Sequence, residues 1–135
     1  MSIEFVRNYH SECRGFVMAR CMIVDDSSFM RRIIKQTLVE AGHEVVAEVD
    51  NGLEALEKYR EILPDVVTMD ITMWGKDGLE AISEITDSYP DAKIIVISAL
   101  NERTLKINEK DIKARVFLTK PFEKKELLEA INKVL

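Results

Sequence analysis

Polar residues that stand just beyond short apolar runs carry the chemistry open to this chain. Asp25 and Asp26 follow Cys-Met-Ile-Val, Asp70 follows Val-Val-Thr-Met, Ser98 follows Ile-Ile-Val-Ile, and Lys120 follows Val-Phe-Leu-Thr. In an open parallel α/β sheet, ligands bind beyond the carboxyl ends of the strands, so side chains far apart in sequence converge there. Three carboxylates beside one amine and one hydroxyl suit a divalent cation and a phosphoryl group. Taken singly, each residue has a plainer reading. An Asp-Asp before Ser caps a helix, Lys-Pro makes a turn, a Ser after a strand belongs to a loop, and Asp70 ends a strand as an Asx turn.

The elements that must position these residues are legible as alternating patterns. Cys21–Val24, Val45–Val49, Val66–Met69, Ile94–Ile97 and Val116–Leu118 read as strands. Most are continuous apolar runs, as expected when both faces of a sheet are covered; the second is more polar, as at a sheet edge. Phe29, Met30, Ile33, Ile34, Thr37, Leu38 and Ala41 recur at helical spacing, with Ser27 placed to cap and Gly42 to terminate. Helices are also predicted from Leu53 to Leu63, before Pro64, and from Leu79 to Tyr89, before Pro90. A thinner apolar stripe marks Asn101 to Lys113, and Leu127, Leu128, Ile131, Val134 and Leu135 form an amphipathic C-terminal helix. Strand and helix alternation implies right-handed βαβ crossovers and a three-layer α/β fold.

Composition narrows the function classes. The 135 residues suffice for one domain with its own core, and 47% apolar with 32% charged residues suits a soluble globular chain. A formal charge of −5, with no dominant Lys/Arg cluster, gives no footprint for nucleic acid or an anionic membrane. Cys13 and Cys21 lack a Cys-x-x-Cys spacing and a nearby histidine cluster, so reduced thiols in a cytoplasm are expected rather than a zinc or redox site. The apolar runs are too short to span a bilayer, and the N-terminus lacks the apolar core of a signal peptide. Residues 1–17 precede the α/β pattern and are expected to be an extension, with the domain proper over 18–135.

From about Arg20 to Leu135 the chain resembles the receiver domain of two-component response regulators, most closely the stand-alone chemotaxis receivers of the CheY-like type. The resemblance rests on Asp25-Asp26-Ser27-Ser28-Phe29-Met30-Arg31, Met69-Asp70-Ile71-Thr72-Met73, Asp77-Gly78-Leu79-Glu80-Ala81, Ser98-Ala99 and Lys120-Pro121-Phe122, in the family's order and spacing. It implies a flavodoxin-like (βα)5 fold with a five-stranded parallel sheet of order 2-1-3-4-5. Asp70 matches the phosphoacceptor, supplied by a sensor histidine kinase of the CheA-like type or by a small phosphodonor. Asp25, Asp26, Asp70 and the backbone carbonyl of Thr72 match the ligands of Mg2+, with Mn2+ as a substitute. Lys120 and Ser98 match the groups that contact phosphoryl oxygens. The joint match at successive strand ends outweighs the plainer readings of the single residues.

The resemblance further implies a switch in which Ser98 moves inward and the aromatic at Phe117 turns toward the vacated space. A permanently buried core position is the plainer reading of Phe117. The output surface would span Asn101 to Leu135, and the partners would be the kinase, a motor-switch or adaptor protein and a phosphatase, with the receiver itself a monomer. The chain departs from the pattern at Ile112-Lys113-Ala114-Arg115, where the family has a Gly-containing turn, and at Trp74, where it has proline. Thr72 and Leu100 supply no carboxylate or amide to orient water, which predicts slow self-dephosphorylation. Other classes fit less well. A haloacid-dehalogenase-type phosphohydrolase needs an Asp-x-Asp pattern in its first strand, flavin binding needs a phosphate cradle after that strand, and a receiver-like module that is never phosphorylated would have lost part of the acidic site. A single-domain relay outside chemotaxis would look much the same.

Overall fold

A computed structural model of the chain describes residues 17–71, 78–99 and 116–135. Five strands, β1 (Arg20–Val24), β2 (Glu44–Val49), β3 (Val66–Asp70), β4 (Ile94–Ser98) and β5 (Val116–Thr119), form one sheet of order β2-β1-β3-β4-β5. Every neighbouring pair is parallel. The described helices are α1 (Ser28–Glu40), α2 (Ala55–Ile62), α3 (Gly78–Ser88) and α4 (Lys124–Val134). Fold class, strand order and the strands expected from the apolar runs are all borne out. The expected helix over Asn101 to Lys113, the turn at Ile112 to Arg115, Trp74, Cys13 and nearly all of the expected extension lie outside the described residues. No helix among the described residues is long and apolar enough to cross a membrane.

The continuous apolar runs are explained by two cores, one on each face of the sheet. Met22, Val24, Val67, Met69, Ile94 and Val96 pack on one face with Ala55 and Tyr59 of α2 and Ala81, Ile82 and Ile85 of α3. The residues between them, Cys21, Ile23, Val66, Ile95 and Ile97, pack on the other with Ile34 and Leu38 of α1 and Leu127, Ala130 and Ile131 of α4. Successive strand residues point to opposite faces, so a strand covered on both sides has no place for polar residues except at its ends. The one polar side chain in the middle of β3, Thr68, has a buried hydroxyl without a hydrogen-bond partner among the described residues. At the edge, β2 is half-buried and its register against β1 slips between Cys21 and Met22.

Helix ends follow local chemistry. Ser27 caps α1, its hydroxyl accepting from the Met30 N–H at 3.2 Å, and Gly42 beyond the end takes a positive φ of 94°. α2 starts at Ala55, two residues later than the apolar spacing predicts, because Leu53 and Glu54 are spent in a turn that Asn51 closes by accepting the Glu54 N–H. Its far end is finished by Leu63 in the left-handed region at φ 49°, a conformation disfavoured for a residue with a Cβ. The Arg20 guanidinium offsets that cost by donating to the carbonyls of Leu63 and Ile62. α4 carries a reciprocal capping box between Glu123 and Glu126.

The entry to β1 depends on a histidine. Buried His43 accepts the Ala19 N–H at Nδ1, 3.0 Å away, while the Ala19 carbonyl accepts the Glu44 N–H. Protonated Nδ1 cannot accept, and burial pushes the His43 imidazole below its ordinary value of 6.5. The unfolded chain then binds the proton first as pH falls, so this contribution to stability is complete above 6.5 and is lost below it. Urea unfolding at pH 7.5 and at pH 5 is expected to give a lower midpoint in acid, and a smaller difference for His43→Gln. An equal loss in the variant would contradict this account.

Candidate functional site

The two-residue alternation that builds the cores also delivers the polar residues. Asp25, Asp70 and Lys120 continue the series Cys21-Ile23, Val66-Thr68 and Val116-Leu118, whose apolar members lie on the α1 and α4 face. Ser98 continues the opposite series, Ile94-Val96. Asp70 and Ser98 are the last residues of β3 and β4 rather than loop residues, and both are buried.

Asp25 is only 1% exposed, and each of its polar groups has a described partner. Its N–H donates to the Val49 carbonyl at 3.0 Å, which extends the β1–β2 ladder past the strand. One carboxylate oxygen accepts the Ser27 N–H at 2.9 Å, the other lies 3.1 Å from Lys120 Nζ, and its carbonyl accepts from Arg31 Nη1 at 2.6 Å. Lys120 Nζ also stands 3.6 Å from Asp70 Oδ2. The Lys120 N–H donates to the Ser98 carbonyl at 2.7 Å, pinning the end of β5 to the end of β4. The Lys120–Pro121 peptide bond that follows is cis.

Gly78, the first residue of α3, donates its N–H to the Ile71 carbonyl at 3.3 Å. A Cβ at this position would fall onto the Asp70 carbonyl oxygen and the Ile71 backbone, so only glycine lets α3 start this close to Asp70. Phe117 is half-buried and packs against the core on the α2 and α3 face, opposite Val96 in register. Thr72 and Leu100 lie outside the described residues.

Asp25, Asp26 and Asp70 each offer a carboxylate oxygen within 4.8 Å of the others, Asp25 and Asp70 buried and Asp26 half-buried. An all-carboxylate donor set is hard and anionic, and it suits Mg2+ over the softer metals that take thiolate or imidazole. The half-exposed Asp26 leaves one side open to water, which Mg2+ retains in its shell. The residues therefore fit the cation. The structure brings together Asp25, Asp70 and Lys120 by direct contact, with Asp26 alongside. In the sequence Arg31 and Gly78 stand out only as members of the motifs. The one available signal for Arg31 was its place in the first turn of a helix capped by Ser27, where a long side chain leans back over the preceding loop.

Within this cluster the carboxylates outnumber the amine, so their mutual repulsion opposes folding of the cation-free chain. Unit charges at about 4.8 Å repel by about 1 kcal/mol even at the dielectric constant of water. Asp26→Asn should therefore raise the cation-free stability by about 1 kcal/mol in urea unfolding and shrink the stabilisation that added Mg2+ gives. A less stable variant would contradict the arrangement.

Comparisons with known proteins agree over most of the chain. The sequence model of the response regulator receiver domain matches residues 21–132. A chemotaxis protein CheY of Thermotoga maritima is 48% identical over 115 residues, covering 85% of this chain and 96% of its own. The Bacillus subtilis chemotaxis protein CheY is 49% identical over 116 residues, covering 86% and 97%. Among solved structures, the CheX-CheY-BeF3-Mg2+ complex from Borrelia burgdorferi matches with a TM-score of 0.79 at 32% identity, over 85% of this chain and 87% of that one.

Proposed function

This chain belongs to the response regulator receiver domain family, and from that premise we infer that it is a phospho-accepting chemotaxis response regulator whose acceptor is Asp70. The observation that carries the assignment to Asp70 is the buried pair Asp25 and Asp70 sharing Lys120, with Asp26 completing a cation-sized carboxylate set. Relatives named as chemotaxis proteins, matched over nearly their whole length, support the signalling role. Residues 18–135 form the receiver and 1–17 its extension in this reading.

In the proposed reaction an Asp70 carboxylate oxygen attacks phosphorus of a phosphohistidine on the partner kinase. The new O–P bond forms as the P–N bond breaks, and the electron pair leaves with the imidazole, which takes up a proton. A small phosphodonor reacts in the same way, a P–O bond breaking instead. Asp25, Asp26, Asp70 and the Thr72 carbonyl would hold Mg2+, which when bound neutralises charge on the transferred group. The magnesium in the Borrelia complex supports that choice of ion. The catalysis is confined to the chain's own phosphorylation and dephosphorylation.

The residues of the chain do the rest by position and charge. Lys120 Nζ, already 3.6 Å from Asp70 Oδ2, moves its charge onto a phosphoryl oxygen as one forms there. The Ser98 hydroxyl donates to another. Because the Ser98 carbonyl accepts the Lys120 N–H, a shift of Ser98 is felt directly at the end of β5, three residues beyond Phe117. Phe117 has no hydroxyl, so its part in the switch is to fill space. The output partner is a motor-switch or adaptor protein that binds the two states differently.

Intact mass after incubation with acetyl phosphate tests the reading. With Mg2+ one phosphoryl adduct is expected on the wild-type chain, and none without Mg2+ or in Asp70→Asn. An adduct that persists in Asp70→Asn would move the acceptor elsewhere. No adduct under any condition would make the chain an interaction module that is never phosphorylated.

A further inference from the structure

Arg31 has no part in the phosphoryl chemistry above, yet its side chain is only 19% exposed and its guanidinium reaches the acidic loop. Arg31 stands in the first turn of α1, and helical side chains lean toward the helix N-terminus. That lean brings Nη1 to 2.6 Å from the backbone carbonyl of Asp25. Nε lies 3.5 Å from Glu48 Oε1 on β2, while Lys35 Nζ holds the other Glu48 oxygen at 3.4 Å. The guanidinium thus bridges the β1–α1 loop and the neighbouring strand.

From these contacts we propose that Arg31 is a positioning residue for the cation site, which rests on the reading that Asp25, Asp26 and Asp70 hold the ion. The Asp25 carbonyl belongs to the peptide plane that joins Asp25 to Asp26. Peptide units are rigid, so fixing that oxygen fixes the N and Cα of Asp26, the atoms from which its side chain departs. The Asp25 side chain has its own anchors in the Ser27 N–H and Lys120. Asp26, the least buried of the three carboxylates, depends on the plane. Glu48 keeps the guanidinium from swinging into solvent, and a charge-assisted bond to the carbonyl is stronger than a neutral one.

Charge alone makes the opposite prediction. A guanidinium beside three carboxylates repels an incoming cation, so if Arg31 were merely a nearby charge its removal would tighten binding. If it positions Asp26, removal weakens binding. Lysine keeps the charge but lacks the planar fork that spans carbonyl and carboxylate together, so it does not replace arginine in this role.

Titration of the full chain with Mn2+, the free ion read by electron paramagnetic resonance, separates the two. Arg31→Gln and Arg31→Lys should each bind Mn2+ about tenfold more weakly than wild type, the low end for groups that orient metal ligands. Glu48→Gln, which keeps the carbonyl contact and loses its anchor, should fall between. Urea unfolding of the ion-free variants identifies those that fold, and Glu48→Gln carries the test if the Arg31 variants do not. Affinity unchanged or tightened in the folded variants, with only the urea midpoint lowered, would overturn the proposal. A wild-type chain that takes up no Mn2+ would overturn the function reading, and this proposal with it.

Discussion

Two carboxylates at the ends of different strands, Asp25 and Asp70, are almost wholly buried at one edge of the sheet, and the Lys120 ammonium lies 3.1 Å from one and 3.6 Å from the other. Charges removed from water need compensation, and taking away one partner of a buried pair costs about 3–5 kcal/mol. Partial exposure of Lys120 puts this cluster toward the lower end. In the proposed reaction, the same arrangement that makes the site costly to build makes it reactive. One amine cannot neutralise three carboxylates, so the set calls for a cation, and in the proposed reaction cation and amine together face the phosphoryl oxygens. The ends of β1, β3, β4 and β5 are held in the geometry that the proposed exchange needs.

What holds them is mostly backbone. Asp25 is hydrogen-bonded into the β1–β2 ladder, Lys120 into the end of β4, and Gly78 lets α3 begin against the Asp70 carbonyl. The apolar layers on both faces leave these strands no freedom to slip, because a one-residue shift would exchange the two cores. Rigidity below the strand ends and crowded charge at them belong together. The sheet holds the acidic groups where they would not otherwise remain.

Much of this was legible in the sequence because the period of two and the period of 3.6 are strong signals. Continuous runs such as Ile94 to Ile97 read as strands covered on both faces, and the polar residue ending each run marked the candidate site. Less legible was whatever depends on a contact across the fold. Nothing local says that Leu63 will take a left-handed conformation, because Arg20, far off in sequence, caps its carbonyl. Nothing local pairs Arg31 with Glu48 or His43 with Ala19. Asp70 and Ser98 were placed just past their strands, whereas pairing with Ile97 and Thr119 keeps each in the ladder. The acidic set was suggested by its place at the strand ends and weighed more heavily through the resemblance to receivers, since an Asp-Asp before Ser taken singly was open as a helix cap, a role Ser27 fills.

Transfer of the phosphoryl group to Asp70, with Lys120 exchanging a carboxylate for it, can be checked in a crystal structure of the chain with Mg2+ and beryllofluoride. Beryllium is expected on an Asp70 oxygen, the cation among Asp25, Asp26 and Asp70, and Lys120 Nζ turned from Asp25 to a fluorine. Beryllofluoride on another residue, or a cation elsewhere with Lys120 still on Asp25, would contradict it.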